Sequence, residues 1–138
     1  MSEYAGDWPT HERFEEGLKV RRAVVGEARV RTSLESADSL SKPLQELVTS
    51  YAWGDIWTRP GLDLKSKSIL TVGMLIALGK PNELKVHMLG AINNGVSHQE
   101  IGEIVLHASV YAGFPAALEA MAIAQSVISD IDDLQVRT

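Results

Sequence analysis

Residues 69–78, Ile-Leu-Thr-Val-Gly-Met-Leu-Ile-Ala-Leu, limit the possible folds more than any other stretch of the chain. Asp63 offers an N-cap ahead of them and Gly79 a stop, so they read as the second half of a helix. That half is apolar almost all round. A helix of this kind is covered on several sides, by other helices of a bundle or by another subunit. Gly73 within it would let a neighbouring helix approach closely. The run has ten residues, far short of the roughly 20 that span a bilayer, which makes it core and not membrane.

The rest of the chain also reads as helical. Thr10 precedes a helix to about Val25 that carries Phe14, Leu18 and Arg21 or Arg22 and stops at Gly26, and residues 27–40 read as a connection with about one turn of helix. Ser41 then caps a helix with Pro43 in its first turn and a buried stripe of Leu44, Leu47, Val48 and Tyr51, ending near Trp53-Gly54. Pro60-Gly61 makes a turn. Asn82 as N-cap and Gly95 as C′ residue bracket a helix whose Leu84, His87, Met88, Ala91 and Ile92 share one face. Ser97-His-Gln-Glu100 is a capping box opening a helix with Ile101, Ile104, Val105 and Ala108 inward. Gly113 ends it, and an alanine-rich helix continues from Phe114-Pro115 to about Ile131. Nothing reads as a strand. The expected fold is all-α, a single-domain bundle of about six helices over residues 11–131, with a flexible arm over residues 1–10 and a polar tail over residues 132–138.

Composition removes several kinds of chemistry. There is no cysteine, hence no disulfide, thiolate metal site or thiol nucleophile. A net charge of −5 without a basic block gives nucleic acid no phosphate footprint. The first residues lack the basic and apolar regions of a secretory signal, so the expected location is the cytoplasm.

The chemistry-bearing residues are few. His87 lies in an apolar stripe with Glu83 one turn before it, where a carboxylate orients the ring and favours its charged form. Arg59 offers a planar fork that fits either a substrate carboxylate or a structural ion pair. Trp53 and Trp57 beside it either anchor the loop or line a site. Glu103 and His107 repeat the Glu-x-x-x-His spacing, with Tyr111 one turn further, which sets His107 and Tyr111 against one pocket. No further ligand cluster accompanies them, and no metal is expected. His11 and His98 read as surface residues, and Asn93-Asn94 as helix termination or an amide donor.

Arg21-Arg-Ala-Val-Val-Gly26, Trp53-Gly-Asp-Ile-Trp-Thr-Arg-Pro-Gly-Leu-Asp63, Glu83-Leu-Lys-Val-His87 through Asn93-Asn-Gly95, and Tyr111-Ala-Gly-Phe-Pro-Ala-Ala117 occur in that order. With these blocks the chain resembles the gamma-carboxymuconolactone decarboxylase family over about residues 14–128. The resemblance implies the alkyl hydroperoxidase D-like helical fold, a homo-oligomer (trimer or hexamer), and no cofactor. It implies decarboxylation of a lactone dicarboxylate, 4-carboxymuconolactone, to 3-oxoadipate enol-lactone in aromatic catabolism. His87 would then be the proton donor, Glu83 its orienting partner and Arg59 the carboxylate clamp, with Trp57, His107 and Tyr111 at the substrate. The dithiol peroxidase branch of that fold is excluded, because Lys80 and Glu83 stand where its cysteines would be. Lys67, His107 and Ala112 depart from the usual arginine, glutamine and cysteine. These departures leave two alternatives: another small unsaturated lactone or keto acid as substrate, or a non-catalytic oligomeric relative.

Overall fold

The computed structural model describes residues 3–137, so the parts of the expected arm and tail at Met1, Ser2 and Thr138 lie outside the described residues. Among the described residues there are seven α-helices, one π-helical segment and no strand. No helix among them is long and apolar enough to cross a membrane. The helices group into two compact units, one ending at Asp63 and one beginning at Leu64.

The first unit holds α1 (Glu12–Val25), α2 (Glu27–Glu35), α3 (Lys42–Leu47) and a π segment (Val48–Ile56). The His11 ring nitrogen accepts the Phe14 N–H and caps α1, one residue later than Thr10 suggests. Gly26, at φ 92°, both closes α1 and precedes α2. The stretch expected as a connection is therefore largely a nine-residue helix. Arg31 holds it by reaching Glu27 at 3.1 Å and Glu35 at 2.9 Å, one turn away on either side, while Val30 and Leu34 are buried.

Residues 3–10 carry two anchors concealed by their polar surroundings. Tyr4 and Trp8 are 2% and 5% exposed, the indole stacks on Phe14 at 6.0 Å between centroids, and Lys42 lies over its ring. The Tyr4 hydroxyl donates to Glu27 at 3.2 Å, and burial pushes its phenol pKa up. The stretch expected as a flexible arm is thus tied down by two aromatic side chains.

The stripe expected after Ser41 is corrected. Leu44, Leu47 and Tyr51 are exposed, and Thr49, Ser50 and Trp53 are buried instead. Leu44 and Leu47 lie in α3, which buries none of its residues, and Tyr51 lies beyond Val48, where the wider π winding leaves the α-helical period that would put it on their face.

The second unit holds α4 (Leu64–Leu78), α5 (Pro81–Asn93), α6 (His98–Ala112) and α7 (Phe114–Val136). Its core is formed by Val72 and Ile76 of α4, Leu84, Met88 and Ala91 of α5, Ile101 and Val105 of α6, and Ala120, Ala124 and Val127 of α7. α4 touches all three other helices of the unit, but only Ser68, Val72 and Ile76 of it are buried, while Ile69, Leu70, Met74 and Leu78 are exposed, so the chain by itself does not cover this helix all round as expected. Burying one of the larger side chains, such as Met88, contributes about 1.5–3 kcal/mol.

Pro81 starts α5 one residue before the expected cap, because its fixed φ suits the first helical position, and the residue preceding the helix is Lys80. The other end matches expectation: Gly95 has φ 94°, and the Val96 N–H turns back to the Ala91 carbonyl at 2.9 Å. α7 runs to Val136, so Asp132 and Asp133 belong to a helix and not to a tail beyond it.

The capping box at Ser97–Glu100 forms with both bonds at 3.0 Å, and Lys65 reaches the same carboxylate at 3.1 Å. The Ser97 backbone N–H first, and Lys65 after it, hold the Glu100 carboxyl below its ordinary value of 4.5. A depressed folded-state pKa stabilises the protein above the unfolded value, and the effect disappears as pH falls through the folded one. Glu100→Gln is accordingly expected to lower the melting temperature at neutral pH, with the gap to the parent closing on acidification in thermal melts. A gap that persists in acid would rule out the carboxylate as its source.

Candidate functional site

α5 carries the Glu83 and His87 pair. Because the helix begins at Pro81, Glu83 sits in its first turn, exposed, where a carboxylate complements the helix N-terminus. His87 comes one turn later and is half-buried, adjoining the face made by Leu84, Met88 and Ala91. The histidine expected within the apolar stripe stands instead half-buried at its side.

α4 and α6 leave an open groove of about 810 Å³ between them. Ile69, Leu70 and Met74 give it an apolar wall, and three successive turns of α6 supply Glu103, His107 and Tyr111. The His107 and Tyr111 rings stand 5.3 Å apart, tilted by 43°. Spacing along one helix is enough to find this trio. Gly73 departs from expectation: no close neighbour uses it, nothing lies within 4 Å of where its Cβ would be, and it lines the groove as open space. Ala112 lines the same groove. Glu83 and His87 are not among its lining residues, so this groove brings together His107 and Tyr111 but not the α5 pair.

Among the described residues no group of three metal-binding side chains converges, and Glu103 with His107 remains a pair. Asn94 is committed to structure, its amide donating to Ser68 Oγ at 2.9 Å and tying the end of α5 to α4. His98 and His11 are exposed, as expected.

In the first unit, Trp57 ends the π segment with its N–H on the Ala52 carbonyl at 2.9 Å. Its ring stacks on the buried Trp53 at 4.7 Å and 24°. One tryptophan therefore anchors, and the other, half-buried, covers it. Arg59 is exposed, and its backbone N–H closes a turn onto the Ile56 carbonyl at 3.1 Å. Sequence reasoning misses the support behind this segment. Arg21 is 8% exposed and donates to the wholly buried Thr49 hydroxyl at 3.0 Å. The only signal is an arginine recurring in the apolar stripe of α1.

The carboxymuconolactone decarboxylase family pattern matches residues 42–126. The chain is 48% identical over 134 residues to the nitrosuccinic acid decarboxylase of Metarhizium robertsii, covering 96% of this chain and 94% of that protein. It is 41% identical over 120 residues to the 4-carboxymuconolactone decarboxylase of Acinetobacter baylyi, covering 87% and 90%.

Proposed function

The chain belongs to the carboxymuconolactone decarboxylase family, and from that premise we propose that it removes carbon dioxide from a small dicarboxylate that carries its own electron sink. The leading substrate is 4-carboxymuconolactone, with 3-oxoadipate enol-lactone as product. The observation that carries this reading is the similarity to a decarboxylase of that acid along 87% of the chain. The similarity to a nitrosuccinic acid decarboxylase along 96% of it favours nitrosuccinate as a second reading.

The two acids make the same demands on a protein. In the lactone, the departing carboxylate leaves its electron pair conjugated into the ring carbonyl as a dienolate. In nitrosuccinate, the pair left by the carboxylate on the nitro-bearing carbon moves into the nitro group as a nitronate. Each then takes one proton on carbon, and each keeps a second carboxylate. The sink lies in the substrate, so the chemistry asks no cofactor for one. The protein supplies a cationic clamp, hydrogen-bond donors at the oxygen that gains charge, weak solvation of the leaving carboxylate, and an acid.

His87 is the acid in this reading. It delivers its proton to carbon and regains one from solvent, while Glu83 orients the ring from the preceding turn. Arg59 clamps the carboxylate that stays, beside Trp57. His107 and Tyr111, which line the apolar groove of α4 and α6, are the further substrate contacts that the family resemblance assigns, and a histidine in place of the usual glutamine bears on which acid is taken. The exposed Leu70, Met74, Leu106, Val110, Phe114 and Leu118 of the second unit support a homo-oligomer, since monomers rarely leave so much apolar surface bare, and the family resemblance implies a trimer or hexamer. The same reading places the protein in the cytoplasm.

Carbon dioxide release from freshly generated 4-carboxymuconolactone and from nitrosuccinate, measured in parallel, decides between the two. We expect kcat/KM for the lactone to exceed that for nitrosuccinate by about tenfold or more. The opposite order would transfer the assignment to the nitro acid, and release from neither would overturn both.

A further inference from the structure

The segment leading to Trp57 and Arg59 is π-helical over Val48–Ile56, nine residues. π winding elsewhere occurs mostly as single-turn bulges inside α-helices, so a run of this length needs something to hold it. The contacts of α1 provide it. A Cβ added at Gly17 would overlap the Thr49 carbonyl oxygen and reach Gly54 N at 3.0 Å, and one added at Gly54 would overlap the Arg13 carbonyl oxygen. The two backbones therefore touch where both glycines lack side chains.

Around that crossing lie polar ties. The buried Arg21 guanidinium donates to Thr49 Oγ1 at 3.0 Å, and the same hydroxyl donates to the Gln45 carbonyl at 2.7 Å. At the outer end Arg13 Nε donates to Asp55 at 2.9 Å. The bonds of residues 57–59 run back into this segment. The Trp57 N–H bonds five residues back to Ala52, the Thr58 hydroxyl donates to the Gly54 carbonyl, and the Arg59 N–H bonds to Ile56.

We propose that Arg21 and Thr49 are positioning residues for the substrate clamp: their buried hydrogen bond locks the π register of residues 48–56 and so sets the direction in which Trp57 and Arg59 are presented. The inference rests on the reading of Arg59 as the carboxylate clamp. Each residue by which the segment slips toward α winding turns the chain beyond it by about 100° about the helix axis. Arg59 would lose its bearing while the helices remained helices. An internal tie on the segment thus acts on substrate binding without touching substrate.

The Trp53 and Trp57 stack supplies a readout that needs no substrate, since two indoles at 4.7 Å give an exciton couplet in circular dichroism, assigned by its loss in Trp57→Phe. Thr49→Val keeps the shape and removes the hydroxyl. It is expected to keep its helical signal, lose the couplet, and raise KM about tenfold with kcat within about twofold of the parent, while Thr49→Ser restores both. If Thr49→Val does not fold, Arg21→Met removes the donor from the other side and is read in the same way. An intact couplet with unchanged KM in a folded variant overturns the proposal, as does a fall in kcat with KM unchanged. If Arg59→Ala leaves KM unchanged while Thr49→Val abolishes the couplet, the clamp reading fails and the register lock stands.

Discussion

Alanine at His87 is expected to lower turnover by about 100-fold or more, the usual scale for removing a general acid. Decarboxylation leaves an electron pair that must be protonated on carbon, and imidazole, with an ordinary pKa of ~6.5, is the side chain best suited to give up and regain a proton near neutrality. His87 is half-buried on α5, next to the buried Leu84 and Met88 and one turn beyond Glu83. Water does not reach all of it, and its helix fixes where it points. Truncating the ring should leave α5 in place, because Leu84, Met88 and Ala91 form the core contact. The check is carbon dioxide release by a variant with the parent's circular dichroism and melting curve. Near-normal turnover in that variant would take His87 out of the mechanism.

The second large effect is on stability. Gly17→Ala is expected to cost about 3 kcal/mol, at the upper end for overpacking, because the new methyl meets the Thr49 carbonyl, a backbone atom with no rotamer to move to. A loss of that size lowers the melting temperature by roughly 10 °C in a chain of this length. Gly102 is the internal comparison, since nothing lies within 4 Å of its missing Cβ in α6. Alanine there is expected to raise stability by about 0.5–1 kcal/mol through helix propensity alone. Melting curves that do not separate the two variants would contradict the close crossing of α1 with the π segment.

The contrast between the glycines shows how far a sequence can be read. Composition and period locate helices, and the punctuation at Gly79, Gly95, Gly113 and Ser97–Glu100 appears where local pattern places it. The buried face of α5 does as well. Period alone does not say when it changes. An α-helical count carried past Val48 places Tyr51 inward, but the chain abandons that count there, where α1 crosses at Gly17, and Leu44 and Leu47 lie in α3, none of whose residues is buried. α2 hides from a search for apolar stripes because its support is charge pairing around Arg31 and only two of its residues are buried. The site shows the same division. Glu83 with His87, and Glu103 with His107 and Tyr111, are neighbours along single helices and are found by spacing. Gly73 opening a groove and Arg21 reaching Thr49 are meetings between different helices, which no local pattern encodes.

Gly113 has a consequence for how the second unit comes apart. Its N–H closes α6 on the Ser109 carbonyl at 3.1 Å, and its own carbonyl accepts the first bond of α7, from Ala117, at 3.2 Å. One residue at φ 93° thus ends one helix and begins the next, with no linker between them. Helix ends normally fray separately, each losing its last turn without reference to its neighbour. Here neither end can loosen without disturbing a bond of the other, and there is no slack loop for a protease to enter or for an inserted residue to occupy. The two helices are joined so that they unravel as one cooperative piece.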